Sequence, residues 1–394
     1  MAKLRANAEN NRPVVGRKAS KPKLVKTLQE VSLTAPLASE VVYQHSLLCQ
    51  VAMPASDPKK ERYWHVTNGR NSLMIQSGSI VDQRTNKIVE VGLPYGVTAR
   101  LLFINLVSQI LKNKKKYMET GSRVINIEDS MSSFIKRLGF PVTAHYIKNV
   151  KEQILRMSRA QFTFVLGGEN NQIYEDIKLF SKHDLWYPQS SEQLGLWPSL
   201  VEPTREFTEF VIRYAVPLDE RAVSRLTEGA LALDIYAWLA HRLCRVEQGT
   251  PDFVNWKNLY EIYGKGYKKI NKFKERFREA LEKVLHVYPA AANAVTEGIC
   301  IIKSGHTQKG RYSGFWLEYT TPPVPFSEDY KPHKIEGKKV KYIIDAKPIK
   351  NKRVRAELQA TVYSPPTDDE FLKMSQYEKH NLPVVRAKTG KKPT

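Results

Sequence analysis

The 394-residue chain is poor in cysteine and lacks long apolar runs. Its three cysteines, Cys49, Cys244 and Cys300, are widely spaced, which argues against a disulfide framework and against a zinc ribbon. Cys244 lies in an apolar stretch and is expected to be a small core residue. Neither an apolar run of membrane-spanning length nor the apolar core of a signal peptide is recognisable. We therefore expect a cytoplasmic protein without a membrane partner.

Catalytic motifs are also missing. The sequence has no Gly-x-x-x-x-Gly-Lys-Ser/Thr loop for nucleotide phosphates and no closely spaced histidine pair for a metal. His241 is expected to be a satisfied partner of Asp234 or of a backbone carbonyl. The 19 tyrosines leave open a tyrosine that nicks DNA. We expect no catalytic residue, no cofactor and no metal, and thus a protein that is not an enzyme.

Basic residues are abundant: 62 Lys and Arg face 40 Asp and Glu, a formal net charge of +22. Protein surfaces usually mix the two signs more evenly, so a polyanion is the first partner to consider. Many cations cluster near the chain ends. Residues 1–35 are predicted to form a flexible basic arm, and residues 327–394 a basic tail without fixed structure.

Periodicity in the first half predicts strands followed by helices. Short alternating runs between residues 41 and 91 indicate a strand meander, and 99–111 is apolar nearly all round, as in a buried helix. A strand at 124–127 is then followed by a helix, which Asp129 caps at its start and Gly139 ends. Thr143 is predicted to cap a longer helix that runs to Arg159, and the pattern of residues 162–180 predicts a hairpin. This order is that of a winged helix-turn-helix domain, placed at 36–187.

The same order recurs after a Pro- and Trp-containing linker at 188–203. Helices near 205–214, 219–226 and 229–246 precede a strand at 253–254, a short helix at 256–263 and the Gly264 turn. A strongly cationic helix follows, then a hairpin around the basic turn 306–311. The sequence therefore predicts an α+β protein with two tandem winged-helix domains and basic flexible termini. The second domain spans 204–326 and is expected to be the main DNA reader.

The cationic helix at 268–286 is the most informative stretch. Eight Lys and Arg against three Glu lie between Lys265 and His286. Its inner stripe is expected to be core: Ile270, Phe273, Phe277, Leu281, Val284 and Tyr288. A solvated surface helix would show a more balanced charge, with ion pairs between neighbouring turns. The cation excess instead favours a helix that lies in the DNA major groove.

The residues at the start of this helix are the candidate DNA contacts, because the first turns of a recognition helix meet the bases. Candidate base-edge contacts are Tyr267, Lys268, Asn271, Lys272 and Glu275. Candidate phosphate contacts are Lys265, Lys269 and Arg276, joined by Lys309 and Arg311 of the basic turn. The first domain contributes weaker candidates whose charges are more mixed, so a solvated face explains them equally well: Thr143, His145, Lys148, Asn149 and Lys151.

Several short runs resemble the RepA-type plasmid replication initiators. They are Tyr43–Ser46, Gly92–Gly96, Phe134–Gly139, Leu194–Ser199, Val216–Val223 and Ala232–Leu243, with matching order and spacing from about residue 40 to 325. The resemblance implies two winged helices in tandem that bind repeated sites (iterons) in double-stranded DNA at a plasmid origin. It also implies origin opening, recruitment of host initiator and helicase, autorepression, and monomeric and dimeric forms. The first domain could also contribute the dimer interface.

Three other functions stay open at this stage. A transcriptional repressor without a replication role would carry the same DNA-binding module. A DNA-nicking enzyme would use one of the tyrosines, and single-strand trapping would reveal its covalent adduct. RNA binding is disfavoured, because the aromatic residues fall on core stripes and do not form an exposed stacking sheet.

Overall fold

The computed structural model describes residues 35–82, 85–126, 131–167, 172–183, 200–304 and 307–325, with four short strands between 342 and 386. The basic arm, Asp129, the motif Leu194–Ser199 and most of the linker and the tail lie outside these residues. Both α and β structure are present, in agreement with the predicted α+β class.

The first unit spans residues 36–183, and its described residues form nine strands and four α-helices. Its strands are β1 (Val41–His45), β2 (Tyr63–Asn68), β3 (Asn71–Gln76), β4 (Ser79–Asp82), β5 (Lys87–Glu90), β6 (Ile125–Asn126), β7 (Gln161–Gly167), β8 (Gln172–Lys178) and β9 (Phe180–His183). Its helices are α1 (Gly96–Lys112), α2 (Lys114–Thr120), α3 (Met131–Arg137) and α4 (Ala144–Arg159). The helices that the sequence predicts near 99–111, 130–138 and 143–159 are confirmed.

The second unit, residues 200–325, is richer in helix. Its helices are α5 (Arg205–Tyr214), α6 (Glu220–Arg225), α7 (Ala230–Arg242), α8 (Trp256–Tyr263), α9 (Ile270–Val287) and α10 (Pro289–Ala292). Its strands are β10 (Leu200–Pro203), β11 (Ala215–Asp219), β12 (Asp252–Asn255), β13 (Val295–Ser304) and β14 (Thr307–Leu317). The tail strands are β15 (Tyr342–Ile344), β16 (Lys347–Pro348), β17 (Val362–Tyr363) and β18 (Val385–Arg386).

The sheets are small and their pairings antiparallel. In the first unit the order β2-β3-β7-β8 joins the early meander to the later hairpin, and β4 pairs with β5. In the second unit the order is β12-β14-β13, with the tail strand β16 at the outer edge. The sheet β6-β10-β9 contains strands from both units.

The two units meet along a seam, by which we mean β1, β11, α1 and α7. Strand β1 of the first unit pairs with β11 of the second, from Val41 opposite Asp219 to His45 opposite Ala215. Beneath this pair, the Tyr236 hydroxyl of α7 accepts the Asp219 amide at 3.1 Å. A single hydrophobic core runs through both units. The seam therefore joins the two units by backbone hydrogen bonds as well as by apolar contacts.

A buried ion pair crosses the seam from α1 to α7. The Arg100 guanidinium donates to both carboxylate oxygens of Asp234 at 2.7 Å, and it also donates to the carbonyls of Met53, Pro54 and Gly96. Arg100 is 2% exposed. Because burial removes both groups from water, the pair depends on this complete set of partners.

The expectation for His241 is wrong. Arg100 occupies Asp234, and the buried Nδ1 of His241 has no hydrogen-bond partner among the described residues. Burial, together with Arg245 and Arg242, lowers the pKa of His241 well below its usual value. The residue is therefore a neutral imidazole inside the seam.

Candidate nucleic-acid interface

A short connection, residues 264–269, joins helices α8 and α9. Asn255 caps α8, because its side chain accepts the Asn258 amide at 2.8 Å. The helix ends at Gly264, whose amide donates to the Tyr260 carbonyl at 2.8 Å. A Cβ at Gly264 would collide with the Tyr260 side chain, so glycine is required there. Gly266 then takes a positive φ of 109°, which reverses the chain toward α9.

Tyr267 stabilises this turn. The Tyr260 hydroxyl donates to the Tyr267 carbonyl at 2.6 Å, and the Tyr267 ring lies edge-on to Phe273 with centroids 5.5 Å apart. Burial raises the pKa of Tyr267. The residue was expected to contact bases from the first helical turn, but it lies half-buried in the turn before α9 and packs on Phe273.

Helix α9 begins later than the sequence suggests. It starts at Ile270, so Lys268 lies in the turn and Lys269 is the N-cap residue. Ile270 was expected in the core stripe but is 37% exposed, because this first helical position lies beyond the ring cluster that buries Phe273. The remainder of the stripe is confirmed. Its members Phe273, Phe277, Leu281, Val284 and Tyr288 are all buried.

Ion pairs engage several of the candidate contacts on α9. Lys272 lies 2.7 Å from Glu275, and Arg276 lies 2.7 Å from Glu279. Lys272 lowers the pKa of Glu275 by hydrogen bonding, so this acid is an ionised partner of a neighbouring cation. Such i,i+3 pairs are typical of a solvated helix surface. A DNA contact by Lys272, Glu275 or Arg276 would have to compete with them.

The polar side chains at the start of α9 are not held in ion pairs of this kind within the part of the chain that the structure describes. Lys268, Lys269 and Asn271 are exposed, and no hydrogen bond or ion pair joins them to the described part of the chain. Lys265 is also exposed, with its ammonium 4.4 Å from the Trp64 ring centroid of β2. No side chain caps the first amides of α9. The side chains of Lys265, Lys268, Lys269 and Asn271 and the first backbone amides of α9 are thus exposed on one side of the helix start.

A network that sequence reasoning missed fixes the middle of α9. Arg278 donates to both carboxylate oxygens of Glu297 on β13, at 2.8 and 2.6 Å. The indole of Trp256, at the start of α8, donates to the same carboxylate at 3.2 Å. The Arg278 guanidinium also lies over the Trp256 ring, 5.0 Å from its centroid. Such a contact between distant positions leaves no local sequence signal.

The hairpin after α9 is longer than predicted. Its strands extend from Val295 to Ser304 and from Thr307 to Leu317, with a register irregularity between Ile302 and Lys303. Lys309 and Arg311 were expected in a turn but lie on β14, because the ladder continues nearly to the tip. Arg311 is exposed.

In the first unit, part of the candidate set has structural roles. The Thr143 hydroxyl caps α4 by accepting the Tyr146 amide at 3.4 Å, as predicted. The Asn149 side chain donates to Thr98 on α1 at 2.9 Å, which fixes α4 against α1. His145, Lys148 and Lys151 are exposed.

The Arg156 side chain of α4 lies inward and is 11% exposed. It pairs with Asp57 and with Glu152, and it donates to the Leu93 carbonyl at 2.9 Å. Its guanidinium also lies 4.9 Å from the Tyr95 ring centroid. Arg156 therefore holds the segment before α1 and is not available for DNA.

Residues 93–257 match the family model RepA_C, described as plasmid encoded RepA protein. Over these residues the chain is similar to plasmid-encoded RepA proteins. Among solved structures it is similar to two crystal structures of domains 2 and 3 of RctB, each at 8% identity. These cover 69% of this chain and 98% and 96% of the RctB chains, with TM-scores of 0.41 and 0.38. Among curated protein sequences, none matches this chain.

The RepA match is narrower than the stretch of resemblance, 40–325, that the sequence suggests. It includes α1, α3, α4 and α7 and reaches the first residues of α8, and it ends before α9. The RepA-like motifs concentrate at the seam. Tyr43–His45 and Val216–Asp219 are paired strands, and the motif Ala232–Leu243 includes Asp234, the partner of Arg100. These RepA-like motifs thus lie where the two units are joined, while the candidate contacts on α9 lie outside the matched segment.

None of the helices among the described residues combines the length and the apolar character needed to cross a membrane.

Proposed function

We propose that the protein initiates plasmid replication by binding repeated sequences (iterons) in the double-stranded DNA of a plasmid origin. Bound there, it promotes opening of the origin and recruits host replication proteins, including the host initiator and helicase. The observation that carries the proposal is the match of residues 93–257 to plasmid-encoded RepA proteins. The excess of 62 basic over 40 acidic residues supports a polyanionic partner.

In this proposal both units are winged helices, and the second reads the sequence. The order strand β12, helix α8, helix α9 and hairpin β13–β14 supports a winged helix-turn-helix. Strand β12 pairs with β14, so the sheet closes against the helix pair. Lys268 and Asn271 read base edges in the major groove, where Lys recognises guanine and Asn recognises adenine. Lys265, Lys269 and the uncapped amides of α9 bind phosphates.

The first unit supplies phosphate contacts through Lys148 and Lys151 of α4, which are exposed. The basic arm and tail add affinity that does not depend on sequence and that falls steeply with salt. The protein acts by binding and not by catalysis, so no tyrosine becomes covalently joined to DNA. Repression of its own gene would follow if its promoter contains the same repeats.

The test is replication of a reporter plasmid that carries only the DNA repeats adjoining the gene, with the protein supplied from a second plasmid. We expect replication with the wild-type protein and none with a reporter that lacks the repeats. Binding to the repeats without replication would overturn the initiator function and leave a repressor. A covalent adduct after single-strand trapping, abolished by one Tyr→Phe substitution, would overturn the non-catalytic mechanism.

A further inference from the structure

Glu297 connects three elements of the proposed DNA reader. It lies on β13, accepts two hydrogen bonds from Arg278 of α9, and accepts a third from the indole of Trp256 on α8. The Glu297 side chain is 15% exposed, whereas Arg278 is 44% exposed. The carboxylate is thus a shielded acceptor at the point where the hairpin meets both helices.

The other ion pairs of α9 do not join elements in this way. Lys272 with Glu275 and Arg276 with Glu279 lie within α9 itself. Lys283 reaches Glu228 before α7, but these side chains are 55% and 71% exposed. A single contact between exposed, flexible side chains constrains a helix weakly. Among these pairs, Arg278 with Glu297 alone combines two parallel hydrogen bonds, shielding and an aromatic contact.

We infer that Glu297 is a positioning residue for sequence reading, an inference that rests on the proposed function. Apolar contacts through Phe273 and Phe277 hold α9 on the core, but such contacts are non-directional and tolerate small slides and rotations. The planar fork of Arg278 against a carboxylate fixes both distance and direction. Trp256 fixes the same carboxylate relative to α8. Together they set where the start of α9 meets the base edges.

The same pair limits binding to random DNA. Glu297 neutralises Arg278, which lies in the third turn of α9, beyond the turns that reach the bases. A released guanidinium could reach a phosphate and add affinity that carries no sequence information. Loss of Glu297 is therefore expected to weaken specific binding and to leave non-specific binding unchanged or slightly stronger.

The experiment compares E297Q with E228Q. Each removes one acidic partner from a cation of α9 and raises the net charge equally, but Glu228 joins only an exposed pair. The probes are a duplex of about 30 base pairs that the full-length wild-type protein selects from a random library, and a shuffled duplex of equal composition. We expect E297Q to bind the selected duplex about tenfold more weakly, the scale of one misplaced base contact, and the shuffled duplex with unchanged or higher affinity. E228Q should keep the wild-type ratio of the two affinities.

R278K separates geometry from charge, because it keeps the net charge but cannot form the fork. We expect it to lower the affinity ratio as E297Q does, with the fold checked by circular dichroism. The inference would be overturned if folded R278K or E297Q kept the wild-type ratio of affinities for the two duplexes, or if it lost affinity equally on both. The proposed function would still stand in that case, provided that the wild-type protein prefers the selected duplex. If the wild-type protein selects no sequence, the proposed function fails, and the inference with it.

Discussion

The two helix pairs of the molecule have similar sequence layouts but different surroundings. The α3–α4 pair and the α8–α9 pair are joined by connections of equal length, residues 138–143 and 264–269, each with a glycine of positive φ. In the second unit, the strand before the pair joins the hairpin after it, since β12 pairs with β14. In the first unit, β6 pairs with β10 instead, and the hairpin strand β7 pairs with β3.

The first turns of α4 and α9 also differ in how many of their polar groups have partners within the protein. Helix α4 is capped by the Thr143 side chain, and Asn149 and Arg156 hold it to the segment around the start of α1. Helix α9 starts without a side-chain cap, and its first exposed donors have no protein partner among the described residues. A helix end whose polar groups are already satisfied has little left to offer a ligand. The comparison therefore supports the proposal that the second unit reads the sequence, and it shows that Thr143, Asn149 and Arg156 of the first unit make structural contacts.

Of the substitutions considered, one that breaks the buried ion pair of the seam should lower stability the most, because this pair links the two units. D234N leaves Arg100, 2% exposed, without its counter-charge. We expect the free energy of unfolding to fall by about 3–5 kcal/mol, the usual cost of an uncompensated buried charge. Urea unfolding followed by circular dichroism measures it.

The matched control is E228Q, which breaks the exposed pair between Lys283 and Glu228. We expect it to change the free energy of unfolding by less than about 1 kcal/mol. If D234N proved as stable as E228Q, the ion pair would not hold the units together, and each unit would have to be compared as a separate body.

What the sequence predicts and what it misses follow from the range of the contacts involved. Helix α4 agrees with its predicted limits because its signals are local: the Thr143 cap, the apolar spacing and the end at Arg159. The start of α9 was placed too early, because its charges continue back through Lys268 and hide the turn at Gly266. The pairing of β6 with β10 joins segments far apart in the chain, and alternation of side chains specifies neither the partner nor the register.

The same limit applies to the candidate site. Exposure of Lys268, Lys269 and Asn271 could be predicted from their positions off the apolar stripe. The role of Tyr267 could not, since a tyrosine beside a basic run is equally compatible with a base contact and with packing on Phe273. Glu297 and Arg278 are brought together by the fold, and neither charge is unusual in its own segment.

Acid should weaken the seam by a smaller amount. Burial lowers the pKa of His45 on β1 to about 3, and the Phe210 backbone offsets only part of this effect. Because the unfolded chain then binds a proton near pH 6.5 that the folded chain refuses, stability falls as pH drops below that value and continues to fall toward pH 3. From pH 7 to pH 5 we expect a loss of about 2 kcal/mol from His45 alone.

Urea unfolding at both pH values measures this loss, with H45Q as the variant. Glutamine can accept the Leu47 amide that His45 Nδ1 accepts at 3.2 Å, although it loses the stacking on Phe210. H45Q should therefore be less stable at pH 7 but should lose less stability on acidification. H65Q, at an exposed histidine of β2, is the control. An equal loss on acidification in H45Q and the wild-type protein would show that His45 is not an acid-sensitive group of the seam.

The smallest expected effects are changes in DNA affinity caused by two single substitutions of exposed lysines. These substitutions compare the two helix pairs directly. K268A removes a donor from the turn before α9, and K148A removes one from α4. We expect K268A to bind a selected duplex about tenfold more weakly, with a smaller loss on a shuffled duplex, because a base-edge contact carries sequence information. K148A should weaken both duplexes alike, by about threefold, and should reduce the slope of log K against log salt concentration by about 0.9, as for one lost phosphate contact. Fluorescence anisotropy over a salt series measures both quantities. If K268A lost affinity equally on both duplexes while K148A lost more on the selected one, α4 would be the sequence reader and the assignment of the two units would be reversed.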